Sequence, residues 1–185
     1  MFMKKSSNRK AAAFLLLGVG VAGRAFLSMP DSVSTLELSL TALLLVGALL
    51  LSRQLLRPLV AAVIALGLEL VLCGDWVHQG GLLAAASPFL RLADLWVLLG
   101  LVSGALDAAR PALDDLRYTR STHNMLLTST ALLALHTMLR LINMAVPHNT
   151  LLNQFVSISF VIFSVSLLWF TILMIRAYNT LRRAG

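Results

Sequence analysis

Residues 150–176 read TLLNQFVSISFVIFSVSLLWFTILMIR, and no charged side chain interrupts them before Arg176. As a helix rising about 1.5 Å per residue, such a stretch is about 40 Å long, more than the hydrocarbon core of a bilayer requires. This segment decides the class: the chain is expected to be an all-α integral membrane protein. Working outward from it, five more apolar runs read the same way, at 11–29, 36–52, 55–73, 82–106 and 124–146. Pro30-Asp31, Gly74-Asp75 and Pro147 close the first, third and fifth, since Pro and Gly punctuate helices. The second run is short, and the fourth is interrupted at Ser87-Pro88. The expected architecture is one six-helix transmembrane domain over 11–176. Tails flank it at 1–10 and 177–185, and one sizeable loop lies at 107–123.

Composition points the same way. The chain is 58% apolar and only 12% charged, against about 25% charged in an ordinary soluble domain. That excludes a typical cytosolic enzyme and a disordered basic tail. The net charge of +7 and the pI near 10.8 raise the question of nucleic acid. The charges are too sparse to track a phosphate backbone, so no nucleic-acid partner is expected. The single cysteine, Cys73, allows no intrachain disulfide and reads as a small buried or interfacial residue. Lys4, Lys5, Arg9 and Lys10 before an apolar run look like the start of a secretory signal. Arg24 follows that run without a clean A-x-A site, so the first span is expected to be retained.

The basic residues sort by loop. Twelve of the 15 Lys and Arg are the four of the N-terminal tail, Arg53 and Arg57, Arg110, Arg117 and Arg120, and Arg176, Arg182 and Arg183. The intervening loops 29–35, 74–81 and 147–149 contain none. By the positive-inside rule both termini are expected to be cytoplasmic. The expected location is a bacterial cytoplasmic (inner) membrane. In size, span number and orientation the chain is similar to the substrate-capture subunits of energy-coupling-factor vitamin transporters, a likeness of architecture that carries over no site residues.

The remaining basic residues, Arg24, Arg91 and Arg140, lie inside spans. A charge near the bilayer centre costs at least about 2.5–3.5 kcal/mol, so such residues face the bundle interior and find partners. Counting from the outer helix ends, Arg24, Glu69 and Arg140 lie about 6–9 Å deep, Arg91 and His136 about 15 Å, and Asp94 deeper. The spacing makes stripes. Ser129, His136, Arg140 and Asn143 share one helical face, as do Asn153, Ser157, Ser164 and Thr171. Ser87, Arg91 and Asp94 align, as do Ala13, Gly20 and Arg24, Glu37 and Thr41, and Ala62, Ala65 and Glu69. These faces are expected to point at one another.

Two readings of that interior remain open. One is a polar cavity in the outer half, lined by Arg24, Glu69, Arg91, Asp94, His136, Arg140 and Asn143, in a small-solute binding or transport component. Three arginines against two deep carboxylates would suit an anionic or zwitterionic solute, because Arg offers a bidentate fork. That holds only if Glu37 stays at the rim. The other is a non-catalytic membrane subunit or scaffold whose buried charges are structural pairs, such as Arg91 with Asp94 or Glu69 with Arg24, and whose protein partners read the 107–123 loop. A proton or ion path through Glu69, Asp94 and His136 is a further variant. An intramembrane enzyme is a third reading, and it lacks support. No H-E-x-x-H, G-x-S-x-G or Gly-rich phosphate loop is present. The pair Asp114-Asp115 has no second acidic cluster to complete a metal–diphosphate motif. Cys73, Asp75, His78 and His148 match no standard metal spacing. No catalytic residue, metal or cofactor is expected. Trp76 reads as an interfacial anchor and Trp96 as a packed residue.

Overall fold

A computed structural model describes residues 2–27, 34–51, 56–73, 81–113, 116–146 and 149–184. Its elements are six α-helices and one short turn: α1 (Phe2–Leu27), α2 (Thr35–Leu51), α3 (Arg57–Cys73), α4 (Leu82–Ala109), a 3-10 turn (Arg110–Ala112), α5 (Leu116–Ala145) and α6 (Thr150–Ala184). Four of them, α1, α4, α5 and α6, are long and apolar enough to cross a membrane. The other two, α2 and α3, are 17 residues each, or about 25 Å of rise.

Four features differ from the sequence reading. The basic N-terminal tail is helical from Phe2, and α6 carries the C-terminal tail into helix as far as Ala184. The expected 107–123 loop shrinks to the turn after Ala109, because α5 begins at Leu116 rather than Asn124. Pro111 stops α4 by forcing the 3-10 turn, while 116–123 contain no Gly or Pro to hold them out of α5. The expected break at Ser87-Pro88 is absent, and α4 runs through it. Pro88 has no N–H for the Ala84 carbonyl, and the Ser87 hydroxyl donates to that carbonyl instead, at 2.9 Å. Gly81 begins α4 with φ at 97°, a conformation that favours glycine.

The helices pack in chain order and close into a ring, with α6 lying against both α1 and α5. The α4–α5 seam is the weakest in that ring. Small residues bring α1 and α2 together: a Cβ on Gly20 would meet Leu44, one on Gly23 would meet Leu40, and one on Gly47 would meet Leu17. Membrane helices use this device because lipid offers no hydrophobic drive for their association. Thr171 ties α6 to α1 by donating to the Gly18 carbonyl at 3.2 Å. The apolar core is built from Phe14, Leu17, Leu44, Leu98, Leu101, Met125, Phe163 and Phe170, all buried. Within their apolar stretches 61% of α4 is buried but only 22% of α5, so α4 is the enclosed helix and α5 the peripheral one.

Candidate functional site

The most costly residues of the sequence meet where α1 ends, α2 begins, α3 ends and α4 is in its third and fourth turns. Ser34 caps α2 by accepting the backbone N–H of Glu37 at 3.2 Å. That is half of a capping box; in the full motif the glutamate side chain would turn back to its own helix start. Here Glu37 turns inward instead and is fully buried. Arg24, Glu69 and Asp94 are equally buried, and Arg91 is 5% exposed.

These five side chains close on one another. Arg24 Nη2 donates to Asp94 Oδ2 at 2.6 Å and to Glu37 Oε1 at 3.3 Å, and it approaches Glu69 Oε1 at 2.7 Å. Arg91 works with two nitrogens: Nη2 donates to Glu37 Oε1 at 2.7 Å and Nη1 to Asp94 Oδ2 at 3.0 Å. The Arg91–Asp94 contact is the i,i+3 pair within α4. Three carboxylates thus face two guanidiniums. Thr41 is buried beside Glu69, its hydroxyl closing no hydrogen bond of good geometry.

Oxygens of Glu37, Glu69 and Asp94 all lie within 4.8 Å of one another. Converging carboxylates are the donor set a hard cation takes. The space between these three is held by Arg24 Nη2, 2.6–3.3 Å from one oxygen of each. The protein therefore supplies the cation itself, and a metal would enter only by displacing that guanidinium.

The seven residues expected to line one cavity separate into two groups. Arg24, Glu69, Arg91 and Asp94 form the cluster, with Glu37 as a fifth member that the sequence reading had placed at the rim. His136 and Asn143 bond to α6 instead, since α5 faces α6 and barely touches α4. His136, buried, shares a hydrogen bond with Ser159 Oγ at 3.0 Å, its ring tilted against Phe160. Asn143 donates to Asn153 Oδ1 at 2.8 Å, and Ser129 pairs with Ser166 at 2.9 Å. Arg140 is half-buried. Three members of the α5 stripe, Ser129, His136 and Asn143, are thus hydrogen-bonded to α6.

The inward turn of Glu37 removes the charge argument for an anionic solute, which required that residue at the rim. Trp96 is half-exposed rather than packed, its Nε1 donating to Thr137 Oγ1 at 3.1 Å. Cys73 ends α3, half-buried. Asp75, Trp76, His78, Asp114, Asp115 and His148 lie outside the described residues. Compared with protein-family models, curated proteins and solved structures, the chain matches none.

Proposed function

We propose that the chain is a six-span protein of a bacterial cytoplasmic membrane, both termini cytoplasmic, and that it acts as a non-catalytic membrane subunit. One observation carries this reading: the five charges drawn from four helices are closed on one another inside an apolar core. A buried ion network of this kind fixes register and partner choice among helices more than it adds stability. Each of the five side chains has an oppositely charged partner inside the cluster, which favours a structural role over solute binding.

Two experiments test this. On a Cys73→Ser background, Ser6→Cys and Ala184→Cys are expected to react with an impermeant maleimide only after the membrane is opened. Labelling in intact cells would reverse the orientation. For the role, all five charged residues are replaced together by Met or Leu of similar volume. If the cluster is structural, the replaced protein folds and still complements loss of the gene. A folded but inactive replacement would make the cluster part of the activity.

A solute-binding reading keeps one foothold. The Asn143–Asn153 bond, half-buried Arg140 and exposed Ser157 leave a polar strip at one end of α5 and α6. Uptake that is lost in Arg140→Gln and Asn143→Leu, at normal expression, would move the function there.

A further inference from the structure

At the opposite end of the bundle, α5 and α6 leave an open cavity of about 340 Å3 lined by Tyr118, Arg176, Asn179, Thr180 and Arg183. The four α6 residues follow i, i+3, i+4 and i+7, so they form one face with the two arginines two turns apart. Tyr118 supplies the opposite wall. The Arg176 guanidinium lies over its ring, 5.2 Å from the centroid. Stacking on the ring holds that guanidinium by its face and leaves the N–H groups at its edge directed outward. The Thr180 hydroxyl is committed to the Arg176 carbonyl at 3.0 Å, so it only shapes the wall. The available donors are two guanidiniums, the Asn179 amide and the Tyr118 hydroxyl. No lining residue is acidic. Among the described residues no ion pair involves Arg176 or Arg183.

The position along α6 selects the ligand. The apolar stretch Phe155–Ile175 spans 21 residues, about 31 Å as a helix, close to the thickness of a hydrocarbon core. Arg176 is then the first residue beyond the acyl chains, at headgroup level, and Arg183 lies two turns further out. Two forked cations with an amide and a phenol suit the oxygens of a phosphate.

We propose that this cavity binds the phosphate of an anionic phospholipid in the cytoplasmic leaflet. The site presupposes the membrane topology proposed above. Loss of lipid selectivity with the maleimide pattern intact would remove the site and leave the topology standing.

The test is native mass spectrometry of the full-length protein titrated with palmitoyl-oleoyl phosphatidylglycerol, with phosphatidylcholine of the same chains, and with inorganic phosphate. The expected preference for phosphatidylglycerol over phosphatidylcholine is about thirtyfold, from about fivefold per arginine at the membrane surface. Arg183→Gln, an exposed change near the end of α6, is expected to reduce it to about fivefold, and Arg176→Gln with Arg183→Gln to abolish it. If the double variant does not fold, the Arg183→Gln titration decides. Equal retention of the two lipids, an unchanged preference in Arg183→Gln, or inorganic phosphate held as tightly as phosphatidylglycerol would each overturn the assignment.

Discussion

The two arginines of the cluster are predicted to respond differently to lysine. Arg24 makes all its contacts through Nη2, while its buried Nε and Nη1 make no hydrogen bond. An unsatisfied buried donor costs about 1–3 kcal/mol. Lysine deletes both idle donors and keeps one point charge. Its stem is one bond shorter, so each contact lengthens by about one bond. At an effective dielectric constant near 20, stretching a contact from about 3 to about 4 Å loses roughly 1.5 kcal/mol. Over three contacts the loss and the relief are of similar size, so Arg24→Lys is expected to change stability by less than about 1 kcal/mol. Arg91 bridges Glu37 and Asp94 with separate nitrogens, 2.7 and 3.0 Å away. A single ammonium cannot span that fork, and Arg91→Lys is expected to lose one charged hydrogen bond, about 1.5–3 kcal/mol. With about 2–4 °C per kcal/mol for a chain of this size, Arg91→Lys falls by about 3–12 °C and Arg24→Lys by no more than about 4 °C. Arg24→Met is the control: it leaves three carboxylates to one guanidinium and is expected to cost about 3–5 kcal/mol. Thermal unfolding of purified protein, followed by tryptophan fluorescence, reads all three. An Arg24→Lys variant that loses as much as Arg91→Lys would refute the point-contact account.

Three other outcomes are expected. Glu69→Gln brings the cluster to two carboxylates and two guanidiniums and weakens an ion pair with one arginine, Arg24, so it is expected to cost less than Asp94→Asn, which strips a contact from both arginines; the two melting temperatures in one detergent settle the order. Gly47→Ala puts a Cβ 2.9 Å from Leu17 and is expected to destabilise by about 1–3 kcal/mol, whereas Gly67→Ala meets open space and is expected to gain about 0.5–1 kcal/mol; unfolding by denaturant would show the opposite signs. Ser129→Ala breaks one α5–α6 hydrogen bond, and a loss near about 0.6 kcal/mol is expected in a double-mutant cycle with Ser166→Ala.

Apolar run length was enough to locate the helices, because no other segment of this chain has the composition to form a core. Helix ends were less legible. Residues 116–123 are polar enough to read as a loop, yet Tyr118 beneath Arg176 and the Trp169 bond to Ser121 draw that turn into α5. Stripe spacing correctly put Arg24, Glu69, Arg91 and Asp94 on inward faces, since period alone determines which residues of a helix share a side. It carries no information on which helices are neighbours. Period alone therefore cannot tell that His136 and Asn143 bond to α6. Sequence alone leaves Glu37 open between the rim and the interior, because a residue at the entry to α2 fits either place. In the structure it turns inward to Arg24 of α1 and Arg91 of α4.

The placement of Arg24 among three acids also has a consequence for how the chain is made. Synthesis delivers the buried charges in the order Arg24, Glu37, Glu69, then Arg91 and Asp94 together. The running sum goes from plus one with α1 to zero with α2, then to minus one with α3, where α4 leaves it. In the six-span topology proposed above, the growing chain would at no stage hold more than one unmatched cluster charge in lipid, where each is expensive. If the chain inserts as the six-span protein proposed above, the α1–α2 hairpin, joined closely at Gly20, Gly23 and Gly47, would be the first piece to reach neutrality and so the smallest to leave the insertion machinery with its cluster charges matched.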